Sequence, residues 1–286
     1  MGFEKEPRKE RPLNKHASAH CRIAIGQLSI LLLLVAGVLF TLSLQFSRYD
    51  EVFFTGDGGV KTLMVRQFAT GMWQADLQLR ADPWIRELWG RGLYPFGPHF
   101  VYEIEGRHYI QYPLLFPVLT APFYKWFGFR GLTVLPLAGV WAVWAVFLLL
   151  CRRRRIESVS TAFGLAGLIF ASALTLYSAM FSEHTLAVAL SFAGLTLALP
   201  QMGRGTTQRD LLIAGLLLGF SVWLRPESGI FVMGAMAALW WIGVRLRHLV
   251  SLGIAASVPM ALYIATNQWL FGRPLGLHGM QALEAN

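Results

Sequence analysis

A few short stretches of this sequence carry side chains that can do chemistry. Asp50 and Glu51 form an adjacent acidic pair, and Asp57 stands just before Gly58-Gly59. Glu183-His184 is a second acidic site and Arg225-Pro226-Glu227 a third, while Lys61, Arg107 and Tyr112 supply further polar groups. A carboxylate within about 3 Å of a hydroxyl can take its proton as the hydroxyl attacks. A fixed guanidinium or ammonium stabilises a departing phosphate. Acid plus arginine therefore suits transfer of a group from a phosphate to an alcohol. Each residue also has a plain structural reading. Asp57 suits the N-cap of a following helix, Asp50-Glu51 a solvated pair, and Glu183 a helix start. Arg225 and Glu227 can neutralise each other. His99, His108 and His278 show no metal-ligand spacing. Gly58-Gly59 lacks the Gly-Lys-Ser/Thr of a phosphate loop.

The elements that must position these groups are apolar. The chain has 286 residues, 55% hydrophobic and only 14% charged, yet its net charge is +9. Two cysteines exclude a disulfide scaffold. A soluble nucleic-acid binder shows its basic residues on a folded surface, which fits poorly with so few charges. The composition predicts an all-α integral membrane protein. A crossing helix needs about 20 mostly apolar residues. Seven candidate spans follow: 23–46, 131–151, 158–181, 185–200, 211–224, 230–244 and 249–271. None contains Asp, Glu, Lys or Arg.

Residues 1–22 are read as a basic cytoplasmic N-terminus and 23–46 as a signal anchor. Alternate threading puts Arg152–Arg155, Arg204, Arg209, Arg245 and Arg247 on the N-terminal side. The whole +9 surplus then lies on that side and the outer side is neutral, as the positive-inside rule requires. The stretch 113–128 is also apolar, but counting it as a span would put Arg152–Arg155 outside. With Pro113, Pro117 and Pro122 in it, it is read as an outer interfacial segment anchored by Tyr124, Lys125 and Trp126.

Residues 47–130 thus form one long extracytoplasmic loop, 131–271 the remaining six spans, and 272–286 an outer tail. Loops this long are usually functional or disordered, and the tryptophans here argue against disorder. Val60, Leu63, Met64 and Phe68 recur at helical spacing, with Gly71 as a stop. This predicts an amphipathic surface helix over 59–70, led by an Asp57-Gly58-Gly59 turn. The fifth span, at 14 residues, is roughly 21 Å long at 1.5 Å per residue. It would sink Arg225 and Glu227 below the outer surface, where charged groups usually line a cavity.

The pattern resembles the GT-C superfamily of membrane glycosyltransferases, which use polyprenyl-phosphate-linked sugars. That group includes the protein O-mannosyltransferases and the lipid A aminoarabinose transferase. The resemblance covers nearly the whole chain. It rests on a signal anchor, an acid-bearing first outer loop, the stretch 109–117 (YIQYPLLFP), 181–185 (FSEHT), 223–227 (WLRPE) and 269–276 (WLFGRPLG). It implies inverting transfer of a sugar to a hydroxyl of a lipid, glycan or protein at the outer face of a bacterial inner membrane. A first-loop acid would be the base: Asp57 by position, with Asp50-Glu51 matching as an acidic pair. Glu183 matches the second outer acid. Arg225 stands where relatives place a basic residue for the lipid phosphate, with Lys61 and Arg107 as weaker matches. Glu227, His184 and Tyr112 fall beside these as substrate-binding candidates. A divalent cation (Mg or Mn) shared by Asp57 and Glu183 is conceivable, but carboxylates alone do not establish one. Family members commonly continue into further spans or a soluble domain, so the expectation is of a C-terminally short form.

Two other classes compete. A transporter or flippase usually shows mid-membrane charge and internal repeats, and neither is visible here. A non-catalytic assembly protein would share the fold without using the acids.

Overall fold

A computed structural model describes residues 14–47, 56–78, 83–92, 100–200 and 206–277. About 75% of the described residues are helical, and the fold is nearly all-α. Eleven α-helices are described: α1 (Asn14–Phe46), α2 (Gly56–Ala69), α3 (Pro83–Gly90), α4 (Leu115–Phe127), α5 (Val134–Arg153), α6 (Ser158–Phe170), α7 (Ala173–Tyr177), α8 (His184–Ala198), α9 (Gln208–Leu224), α10 (Ser228–Trp241) and α11 (Leu246–Phe271). Three stretches, Ile25–Phe46, Leu115–Arg153 and Leu246–Phe271, are long and apolar enough to cross a membrane. Large apolar side chains also face outward along them. On α1 these are Ile25, Leu28, Leu31, Leu32, Val35 and Leu39. A row of this kind suits a hydrocarbon environment better than water.

The bundle is a chain of neighbours: α1 packs on α6, α5 on α8, α8 on α9, and α9 on α11. The α9–α11 contact is close because Gly215 and Gly219 lie one turn apart. A Cβ on Gly219 would come within 2.4 Å of the Ala256 carbonyl oxygen, and one on Gly215 within 2.4 Å of Leu252 O. Small residues at this spacing let two backbones approach. At one end of the bundle Arg153 reaches Asp210 (3.9 Å) and the Thr196 carbonyl (3.3 Å). The basic end of α5, the end of α8 and the start of α9 therefore meet. The opposite ends of α8 and α9 carry Glu183 and Arg225.

That second end is covered by α2, α4 and a β-hairpin. Val60, Met64, Val65 and Phe68 of α2 share one apolar core with Phe116 and Ala121 of α4, Val101 and Ile110 of the hairpin, and Phe181 and Leu224 of the bundle. Gln67 fastens the segment after α2. Its amide donates to the carbonyls of Gln74 (3.0 Å) and Asp76 (2.9 Å) and accepts from Gln78 N–H (2.8 Å).

The structure changes several sequence expectations. The surface helix starts at Gly56, not at residue 59, so Asp57 lies in its first turn. This helix does not simply rest on a bilayer: Val60, Lys61, Thr62, Met64, Val65, Gln67 and Phe68 are all buried. The loop also contains strands β1 (Val101–Ile104) and β2 (Arg107–Ile110), paired antiparallel. Glu105 (φ 51°) and Gly106 (φ 74°) form a two-residue turn with positive φ at both positions, the geometry that matches strand twist. The prolines of 113–128 do not prevent a helix. Pro113 precedes α4, Pro117 falls in its first turn where no N–H is needed, and only Pro122 sits inside. The predicted span 158–181 is interrupted at Ala171–Ser172 between α6 and α7. The fifth helix is longer than predicted, because Thr207 caps it by accepting from Asp210 N–H (3.1 Å). Its 17 residues reach about 26 Å, which removes the argument that a short helix drags Arg225 inward.

Candidate active site

The loop segments and the bundle end enclose an open cleft of about 340 Å³. Asp57, Phe100, Gln111, Tyr112, Glu183, His184, Arg225 and Glu227 line it. The cleft gathers Asp57 from α2, Tyr112 from the segment after β2, Glu183-His184 from the start of α8, and Arg225-Glu227 from the turn after α9. These are the residues singled out from sequence, brought together from four separate regions.

Asp57 is exposed, and its negative charge lies close enough to act on the Tyr112 hydroxyl. Burial is the largest influence on Tyr112 and pushes its phenol well above its usual value. The negative charges of Asp57 and Glu183 act in the same sense, while a hydrogen bond from Gln111 opposes them. Tyr112 therefore keeps its proton through neutral and mildly alkaline pH.

One turn further along α2, Lys61 is 2% exposed and points inward. Its ammonium lies 2.7 Å from Glu183 Oε2 and 4.1 Å from the centroid of the Tyr112 ring. Lysine is almost never so buried unless paired. Helical periodicity could not reveal this pair, because its partner is 122 residues away. The pair also alters the expected roles. Lys61 is spent on Glu183 and not open to a phosphate, and one Glu183 oxygen is already held by a cation.

Arg225 is held from two sides. Its Nε and Nη2 donate to Glu227 Oε2 (3.4 Å) and Oε1 (3.2 Å). Its Nη1 donates to His184 Nε2. The other imidazole nitrogen, Nδ1, is hydrogen-bonded to Ser182 Oγ. The His184 ring stacks on Tyr177, with centroids 5.1 Å apart and planes at 10°.

The remaining expected site residues fall elsewhere. Arg107 is exposed at the start of β2 and does not line the cleft. Asp50 and Glu51 lie outside the described residues, as do His99 and His278. A shared divalent cation does not fit this donor set. Glu183 is engaged by Lys61, and among the described residues no three His, Cys, Asp or Glu side chains form a metal-binding group.

Three further residues emerged only from the fold. Ser182 and Tyr177 fix His184. Gln111 is 6% exposed, and its Oε1 is buried with no partner. Gln111, Tyr112 and Pro113 form a wall between the cleft and a narrow apolar slot of about 60 Å³, bounded by Trp223, Tyr263 and Asn267. Adjacency was the available signal: Gln111 precedes Tyr112, and Ser182 is two residues from His184.

No family model, no curated protein and no solved structure matches this chain.

Proposed function

We propose that this protein is an integral-membrane glycosyltransferase. It moves a sugar from a polyprenyl-phosphate donor to a hydroxyl acceptor at the extracytoplasmic face. The observation that carries this reading is the single cleft in which exposed Asp57 faces Arg225, at the bundle end opposite the Arg153–Asp210 pair. In this reading all seven predicted spans cross a bacterial inner membrane, with the N-terminus in the cytoplasm.

The chemistry follows from the residue types. Asp57 takes the acceptor hydroxyl proton as the oxygen bonds to the anomeric carbon. The bond from that carbon to the phosphate oxygen breaks, and its electron pair leaves on the polyprenyl phosphate. Attack opposite the leaving group inverts the anomeric centre. Arg225 holds the departing phosphate, its fixed positive charge stabilising the negative charge that develops there. Tyr112 lines the cleft beside Asp57, while the Lys61–Glu183 pair holds α2 against α8.

The test is transfer of radiolabelled sugar from polyprenyl-phosphate donors in membranes carrying wild type, Asp57→Asn or Arg225→Leu. Loss of general-base help typically costs about 10²- to 10⁴-fold, so Asp57→Asn should fall in that range with unchanged protein level. Equal transfer by wild type and Asp57→Asn would remove Asp57 as the base. No transfer by wild type, together with solute uptake into vesicles, would replace this reading with a transporter.

A further inference from the structure

Arg225 is the cleft's cationic side chain that is not buried against an acid, and His184 sets its position. A guanidinium donates hydrogen bonds and cannot accept them. Where Arg225 Nη1 meets His184 Nε2, that ring nitrogen must be the acceptor. The proton of a neutral ring is then on Nδ1, which donates it to Ser182 Oγ. Tyr177 holds the ring plane from one face. The ring therefore has a single tautomer and a single orientation, both set by Arg225, Ser182 and Tyr177.

Arg225 has five N–H groups. Glu227 takes two and His184 one, leaving two for a ligand oxygen. We infer that His184 is a positioning residue. Its neutral Nδ1–H tautomer fixes the Arg225 guanidinium so that the two remaining N–H groups meet an anion in the cleft. Protonation of His184 places an N–H and a positive charge against the guanidinium and releases it. Several charged groups surround the ring. Arg225 and Glu227 follow α9, Lys61 comes from α2, Glu183 lies on the ring's own turn, and Tyr177 is in α7. Glu183 is neutralised by Lys61 and Glu227 is bound to Arg225. Neither carboxylate is therefore free to compensate a second cation beside Arg225.

The inference rests on the glycosyltransferase reading for the identity of the anion, but not for the contact itself. Two measurements separate them. The first is ¹⁵N NMR of histidine-labelled full-length protein in detergent, with the His184 signal assigned by its loss in His184→Gln. A neutral Nδ1–H tautomer at pH 7.5 that becomes mixed in Arg225→Leu is expected. An Nε2–H tautomer, or a signal indifferent to Arg225→Leu, overturns the inference whatever the protein's activity.

The second is binding of farnesyl phosphate, with inorganic phosphate as a comparison, at pH 5.5 and 7.5. Wild type should bind the lipid phosphate at least tenfold more weakly at pH 5.5. His184→Phe should lose about tenfold at pH 7.5. In His184→Gln the amide oxygen still accepts from Arg225 and does not titrate, so this variant should recover most of that loss and show a flattened pH dependence. Wild-type affinity in a folded His184→Phe, or an unchanged pH dependence in His184→Gln, overturns the positioning role. The expected tautomer with no lipid-phosphate binding by wild type at either pH upholds the His184–Arg225 contact and overturns the anion assigned to it.

Discussion

The Lys61–Glu183 pair gives the sharpest test of how this site is held together. The two side chains are 2% and 7% exposed and 2.7 Å apart, so solvent screens the pair very little. Removing one partner leaves an uncompensated buried charge, which costs about 3–5 kcal/mol. Replacing both with apolar side chains of similar size is often neutral or stabilising. Lys61→Met and Glu183→Leu should therefore each lower the melting temperature by about 6–10 °C, at about 2 °C per kcal/mol for a chain of this size. The double variant should recover most of that loss. The assay is thermal unfolding of detergent-solubilised protein, followed by tryptophan fluorescence and by retention of the monodisperse peak. A double-mutant cycle gives the coupling, expected above about 2 kcal/mol for directly interacting groups. Additive single effects, with coupling below about 0.5 kcal/mol, would refute the claim that Lys61 is buried against Glu183.

Three other outcomes are expected. Gly219→Leu forces a side chain into the Ala256 carbonyl, since even a Cβ comes within 2.4 Å. It should destabilise the α9–α11 contact by about 1–3 kcal/mol or more, read as a lowered melting temperature, while Ser257→Leu at an exposed position of α11 should not. Gln67→Ala removes three hydrogen bonds to residues 74–78, so limited proteolysis should cut this segment at least several-fold faster. Tyr112 is raised by burial, so its stabilisation is complete below about pH 10, the free-phenol value, and is lost as the pH rises beyond it. The slope is at most about 1.4 kcal/mol per pH unit. Melting temperatures between pH 9 and 11 should fall less in Tyr112→Phe than in wild type.

Much of this was legible in the sequence, for definite physical reasons. The apolar runs announced helices because backbone groups in an apolar setting must be satisfied within the segment. Asp57, Tyr112, Glu183, His184 and Arg225 stood out as polar groups beside long apolar runs that contain no Asp, Glu, Lys or Arg. Features that depend on tertiary contact were hidden. Lys61 was matched to a lipid phosphate and not to Glu183, because nothing local marks its distant partner. The hairpin escaped because its strands are four residues each, although Val101–Ile104 and Arg107–Ile110 flank a Glu-Gly turn. The start of α9 was misplaced because apolarity marks only the buried part of a helix, whereas the Thr207 cap lies before it.

The distance along the chain between Lys61 and Glu183 also sets an order of events during synthesis. Lys61 is synthesised long before α8 exists. At about 5–20 residues per second, the 122 residues between the partners take roughly 6–24 s to make. Throughout that interval α2 carries a cation that its final burial cannot tolerate alone. The Lys61–Glu183 contact that ties α2 to the start of α8 therefore forms late, after α6 and α7 have been made. A pause or truncation before residue 183 leaves Lys61 without its partner, although α2 can already pack on α4 and the hairpin.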